Sequence, residues 1–173
     1  MGKLVPQNPK DEPASVLLEK IAKEKAQLIK EGKIKKQKPL PAITDDEKPF
    51  ELPHSWEWVR FSDLSHEVAT GPFGTMIHKS DYIEGGVPLI NPSHMINSKI
   101  IENKLISVSE DKALELKSYL LTEGDIVLAR RGEMGRCALV TKREEGWLCG
   151  TGSFVLKFYS ELSKEYILLL FKT

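Results

Sequence analysis

The sequence has few cysteines, few arginines and no long apolar stretch, and each shortage removes a class of protein. Two cysteines, Cys137 and Cys149, make no disulfide framework; they read as reduced thiols of a cytoplasmic protein. Four histidines (His54, His66, His78, His94) stand in no zinc spacing and no Cys-x-x-Cys occurs, so no metal is expected. The longest apolar run, residues 166–171, is far below the roughly 20 residues of a spanning helix, so no membrane partner is expected. Met1-Gly2-Lys3-Leu4-Val5-Pro6 has no apolar signal-peptide core, and Pro6 stands where myristoylation wants Ser or Thr. Net charge is also missing, with 25 basic against 25 acidic side chains. A protein that clings to nucleic acid everywhere is thereby excluded, but a reader with a local basic patch is not.

Catalytic patterns are equally scarce. Gly132-x-x-Gly135 lacks the Lys-Ser/Thr and the third glycine of nucleotide loops. Ser153, between Gly152 and Phe154, is no nucleophile elbow. The acid pairs Asp45/Asp46 and Glu144/Glu145 are adjacent and point apart on a regular element. A metal-dependent nuclease needs spaced acids, and Asp81 with Glu84 is the least poor pair. No Asn-Pro-Pro-Tyr or Asp-Pro-Pro-Tyr marks an adenine methyltransferase site. Neither catalysis nor a cofactor is expected.

The 173 residues suffice for one domain with an appendage. Composition, 40% hydrophobic and 29% charged, is that of a folded chain. Residues 1–50 carry 11 lysines against 8 acids, and residues 51–173 carry 14 basic against 17 acidic groups, so a net of +3 offsets a net of −3. Of five arginines, Arg130, Arg131, Arg136 and Arg143 lie within fourteen residues. A guanidinium fork clamps phosphate or reads a guanine edge, whereas lysine is a solvated point charge, so this cluster is the sharper signal.

The chain divides into a helix (1–32), a proline-rich linker (33–53) and a main domain (54–173). Asp11-Glu12-Pro13 starts the helix, Ala14, Leu18, Ile21, Ala22, Lys25, Leu28 and Ile29 recur at helical spacing, and Gly32 ends it. The stripe is narrow, which favours pairing with another helix through Leu18, Ile21, Ala22, Lys25, Leu28 and Ile29. Lys30, Lys33, Lys35, Lys36 and Lys38 follow as a solvated helix end. The linker holds Pro39, Pro41, Pro49 and Pro53 and is a stiff spacer with a turn at Thr44-Asp45-Asp46-Glu47.

In the main domain, residues 56–61 alternate apolar and charged and predict a strand. Gly71-Pro72-Phe73-Gly74 predicts a tight turn, and Gly85-Gly86 a turn into a strand at 87–90. Residues 100–101 and 105–108 predict further strands, and residues 109–121 a helix capped by Ser109. Residues 126–129 and 137–140 read as a hairpin around a glycine-bearing loop, followed by strands at 147–149 and 154–158. A short final helix begins at Ser163, and its apolar run has no cap or tail after it, which suggests a truncated domain or one completed by a partner. Short strands with few helices, preceded by one long helix, make the class α+β.

Several stretches resemble type I restriction–modification specificity subunits. They are Gly2-Lys3-Leu4-Val5-Pro6-Gln7-Asn8-Pro9-Lys10-Asp11-Glu12-Pro13-Ala14-Ser15, Lys30-Glu31-Gly32-Lys33-Ile34-Lys35-Lys36 and Phe50-Glu51-Leu52-Pro53-His54-Ser55-Trp56-Glu57-Trp58-Val59. Gly71-Pro72-Phe73-Gly74, Gly124-Asp125-Ile126-Val127-Leu128-Ala129-Arg130-Arg131-Gly132 and Gly135-Arg136 add to them. The resemblance implies a non-catalytic module that reads double-stranded DNA and directs adenine methyltransferase subunits and, through them, restriction and translocase subunits. Such subunits carry two target-recognition domains separated by long helices; one helix and one domain here imply a half or truncated form, with a homodimer through the helix. The resemblance implies major-groove loops, with Lys79, Ser80, Asn91, His94, Arg130, Arg131 and Arg136 as DNA-binding candidates and phosphate contacts the majority. Asn91 is read either as an adenine partner or as a turn residue before Pro92, and Gly71, Phe73 and Gly74 as architecture. The competing expectation is a remnant that docks other subunits but reads no sequence.

Overall fold

A computed structural model describes residues 6–132 and 135–171. The chain forms two compact units, Met1–His66 with Tyr159–Leu162, and Glu67–Phe158 with Ser163–Thr173.

The first unit is built on helix α1 (Ala14–Lys30). Of the start signal Asp11-Glu12-Pro13 it is Pro13 that occupies the cap position, with no capping side chain, and the Ala14 N–H donates to the Ser55 carbonyl at 2.9 Å. Asp11 instead accepts from the Asn8 amide at 2.8 Å. The end is as read. Gly32 takes φ +70°, Lys33 N–H reaches back to Leu28 O (2.9 Å) and Gly32 N–H to Ile29 O (3.1 Å). This paired closure satisfies carbonyls that a helix end leaves open.

Residues 33–60 are irregular apart from two tight turns, Asp45–Glu47, closed by a Thr44/Glu47 capping box, and residues 54–55, closed by the Trp56 N–H on Pro53 O at 3.0 Å. Arg60 ties the stretch down, pairing with Glu47 through both terminal nitrogens (3.0 and 2.9 Å) and donating Nε–H to Pro41 O at 3.0 Å. The strand expected at 56–61 is absent, and Phe61 opens a single helical turn, α2 (Phe61–Leu64). Its alternation serves side-chain anchors instead. Trp56 Nε1 donates to Gln7 Oε1 at 3.1 Å and Trp58 packs on Phe50 with ring centres 4.9 Å apart. Ile21 and Tyr159 are buried, and Glu24 of α1 accepts from the Ser160 N–H and hydroxyl, at 2.9 and 2.8 Å to one oxygen.

The second unit carries the strands β1 (Ser65–Thr70, entering from the first unit), β2 (Val87–Ile90), β3 (Met95–Ile96), β4 (Lys99–Ile100) and β5 (Ser107–Val108). After α3 (Glu110–Glu115) follow β6 (Ile126–Ala129), β7 (Cys137–Leu139), β8 (Leu148–Cys149), β9 (Ser153–Phe158) and α4 (Lys164–Leu170). They make a four-stranded sheet ordered β1-β9-β6-β7, a three-stranded sheet β5-β2-β8 and the β3-β4 ribbon. β6 pairs antiparallel with β7 (Val127 opposite Ala138) and β9 (Val127 opposite Val155), while β2 runs parallel to β8 (Leu89 opposite Leu148).

Two apolar clusters explain the arrangement. Ile90, Met95, Ile100, Leu121, Val127, Ala138, Val140, Cys149 and Val155 form one, and Ile77, Leu89, Val108, Ala113, Leu116 and Leu148 the other. Each fully buried aliphatic side chain contributes about 1.5–3 kcal/mol. The helix expected over 109–121 is shorter: Ser109 caps α3 as read, accepting from Lys112 N–H at 3.2 Å, but α3 stops at Glu115 and a separate turn covers Lys117–Tyr119. Leu116 is buried at the break, whereas Leu114, two residues earlier, is 69% exposed. α4 is capped at its start by Ser163, which accepts from Tyr166 N–H at 3.2 Å. The class is α+β, with one long helix before short-stranded sheets, as the sequence indicates. Among the described residues, no helix is long and apolar enough to cross a membrane.

Candidate nucleic-acid interface

Four irregular segments of the second unit converge beyond the ends of β2, β6 and β8. The first follows β2: Asn91 begins a tight turn over Pro92–His94 in which Asn91 and His94 cap each other. The Asn91 N–H donates to His94 Nδ1 at 3.3 Å, and the His94 N–H to Asn91 O at 2.9 Å. His94 is buried, and burial pushes its pKa down against a raising backbone hydrogen bond at Leu89. A neutral ring is required for Nδ1 to accept.

The second segment, residues 150–153, joins β8 to β9 and lies against this turn. The Gly150 N–H donates to Ile90 O at 2.8 Å, and a methyl group on Gly150 would stand 2.2 Å from Asn91 Oδ1. Only glycine allows that approach. The carbonyl end of the Asn91 amide is thus packed over Gly150. Pairing with adenine takes both ends of an amide.

The third segment is the arginine-bearing loop between β6 and β7, turned by Gly132 and Gly135 at φ +83° and +79°. The Arg130 N–H donates to Gly152 O at 2.8 Å and its Nη2 to Thr151 O at 3.0 Å. Arg136 Nη1 donates to Pro92 O at 3.3 Å. Both arginines are half-buried. Arg131 is exposed and makes no hydrogen bond or ion pair with another described residue. Gly71 supplies the fourth segment, its N–H donating to Ser153 O at 2.9 Å.

The cluster therefore gathers Asn91, His94, Arg130 and Arg136 from the expected set, with Arg131 on the same loop. Lys79 and Ser80 stand elsewhere, exposed on the turn Lys79–Asp81, which His78 N–H closes on Asp81 Oδ2 at 2.6 Å. Ser80 shares a shallow depression with Asp81, Asp111, Lys112 and Glu115, an acid-rich setting for a phosphate. Arg143, the fourth clustered arginine, bonds Glu144 and the Ile100 carbonyl and lies 5.7 Å from the Trp147 ring centre. Sequence reasoning missed Gly150-Thr151-Gly152. Its signal was available: two glycines around a small polar residue between two strands mark close backbone approach.

On α1, Ala22 is exposed, Leu18, Lys25, Leu28 and Ile29 are half-buried, and Ile21 is buried within its unit. Lys25 lies 3.9 Å from Asp63. Among the described residues, no group of three His, Cys, Asp or Glu could hold a metal ion.

No family model matches the sequence. The chain is 45% identical over 130 residues to the type I restriction enzyme EcoAI specificity subunit of Escherichia coli, covering 75% of this chain and 21% of that protein. It is 43% identical over 138 residues to the EcoEI specificity subunit of Escherichia coli, covering 79% and 23%. Among solved structures, the HsdS subunit from Thermoanaerobacter tengcongensis shares the fold, with TM-score 0.54 and 16% identity over 91% of this chain and 38% of that one. A chain from a type I R-M system, solved to explain complex assembly and conformational transition, gives TM-score 0.55 and 15% identity over the same shares. The chain spans little more than a fifth of the curated relatives' length, and within that span it belongs to the family of type I restriction enzyme specificity subunits.

Proposed function

We propose that the chain is a non-catalytic module that reads double-stranded DNA sequence for a type I restriction–modification system. One observation carries this reading: 43–45% identity to specificity subunits spans at least three quarters of the chain. The chemistry supports it. An exposed guanidinium beside half-buried arginines and backbone-rich loops suits a phosphate and groove surface, where most contacts fix register and a few read bases.

In this reading residues 1–32 form the helix that docks or dimerises, 33–53 a spacer, and 54–173 the recognition domain. Adenine methyltransferase subunits bind the chain and bring restriction and translocase subunits to the site. A second copy pairs through the α1 stripe, for which the exposed Ala22 and half-buried Leu18, Leu28 and Ile29 leave surface. With a net of −3 over residues 51–173, the recognition part binds DNA weakly alone and gains affinity from its partners. Selection of duplexes from a randomised pool by the chain assembled with a methyltransferase subunit tests the function. An enriched sequence, bound in preference to a shuffled one, is expected; equal binding of all duplexes contradicts it.

A further inference from the structure

We propose that the arginines of the 130–136 loop divide their work: Arg131 contacts the DNA, and Arg130 and Arg136 are positioning residues that hold the neighbouring loops beside it. The proposal rests on the DNA-recognition reading above and deepens it.

The argument starts from how this chain uses arginine. Of its five, four donate to backbone carbonyls, three of them outside the strands and one, Ile100, on β4. Arg60 takes Pro41 O, Arg130 takes Thr151 O, Arg136 takes Pro92 O and Arg143 takes Ile100 O. The first three carbonyls lie outside the strands, and a partly buried carbonyl needs a donor. The guanidinium, with five N–H groups on one rigid plane, supplies it at long reach.

Arg130 is the strongest case. Its backbone N–H and its side chain grip two successive carbonyls, Gly152 and Thr151, so the 150–152 loop is held at two points. Arg136 holds Pro92, which follows the Asn91 side chain packed on Gly150. The two arginines thus tie the 91–94 turn and the 150–152 loop to one hairpin. Turning either guanidinium to a phosphate or a guanine edge would release a carbonyl of the surface it helps build. Arg131 has no such commitment among the described residues, and it is exposed.

The test uses the full chain assembled with a methyltransferase subunit. The probes are a duplex selected by the wild-type complex from a random pool and a shuffled duplex of the same composition, across a salt series. Arg131→Ala should weaken binding of the selected duplex at least tenfold. Arg130→Ala and Arg136→Ala should narrow the preference for the selected duplex at least tenfold with an unchanged salt slope, because no phosphate contact is lost. Arg130→Lys should restore most of that preference, since one N–H still reaches Thr151. A salt slope reduced by about one in Arg130→Ala, with preference kept, would make Arg130 a phosphate ligand and overturn the proposal. So would wild-type binding by Arg131→Ala.

Should Arg130→Ala fail to fold, Arg130→Lys decides: a retained preference supports the clamp and a lost one overturns it. A measurement without DNA separates this proposal from the reading beneath it. In the free chain, amide exchange at Gly150 and Ser153 should quicken at least tenfold in Arg130→Ala and stay unchanged in Arg131→Ala; identical exchange in both overturns the clamp alone. A wild-type complex with no preference between the duplexes overturns the DNA reading, and the proposal with it.

Discussion

Gly71 lies so close to Gly150 that a methyl group on Gly71 would stand 2.0 Å from the Gly150 carbonyl oxygen. The contact is backbone against backbone, so no side chain can swing away to relieve it. Gly71→Ala should destabilise the fold by about 1–3 kcal/mol, the usual range for overpacking a close-packed site. Gly74, three residues on, has open space where an added methyl group would stand, and Gly74→Ala should fall within about 0.5 kcal/mol of wild type. Chemical denaturation of both variants checks the contrast.

The Arg60–Glu47 pair gives the first unit a defined acid sensitivity. The Arg60 guanidinium first, and the Thr44 N–H second, hold the Glu47 carboxyl down from 4.5 to about 2. A carboxylate with a depressed folded pKa contributes stability above its unfolded pKa and loses it as pH falls through the folded one. The tether of residues 41–47 is therefore complete above about pH 5 and dissolves between 4.5 and about 2. Titration of the Glu47 carboxyl carbon by NMR should show a midpoint near the lower value, and Arg60→Ala should return it toward the upper one.

The thiols should be inert in the folded chain. Cys137 and Cys149 are both buried, and burial pushes the Cys149 thiol up to about 12, so almost no thiolate exists at neutral pH. Iodoacetamide at pH 8 should modify neither under native conditions and both after denaturation, with mass spectrometry as the readout. Rapid native labelling of Cys149 would contradict its position between Ile90 and the Gly150 loop.

If a second copy pairs through α1, Ala22→Glu should dissociate it. Ala22 is exposed in its own unit, so the substitution leaves the fold intact while placing like charges at the proposed seam. Light scattering should show half the wild-type mass, or a dissociation constant raised at least tenfold, with an unchanged circular dichroism spectrum. A wild-type chain that is monomeric at high concentration would remove the pairing.

Local chemistry made much of the fold legible. The Gly32 helix end, the Ser109 and Ser163 caps and the β6–β7 hairpin each depend on residues close in sequence. The strand expected at 56–61 failed for a physical reason: alternation reports an extended segment, but a strand also needs a neighbour to pair with. Trp56, Trp58 and Arg60 find Gln7, Phe50 and Glu47 instead. The same limit governed the loop cluster. The arginines were visible, yet their acceptors at Thr151 and Pro92 lie 21 and 44 residues away, which no local pattern encodes. His94, expected at the DNA surface, accepts from the Asn91 N–H, a backbone group that no side-chain pattern reveals.

In the four-stranded sheet β9, the latest of its strands in sequence, sits between the earliest, β1, and β6. During synthesis, β1 and β6 leave the ribosome without the partner they share, and each exposes an unpaired edge until β9 arrives. The 150–152 loop directly precedes β9, so Arg130 grips that loop only when the residues just before β9 have emerged. If the chain reads DNA as proposed, it does so poorly until β9 has emerged, and chains that stall before β9 carry open strand edges suited to chaperones or to aggregation.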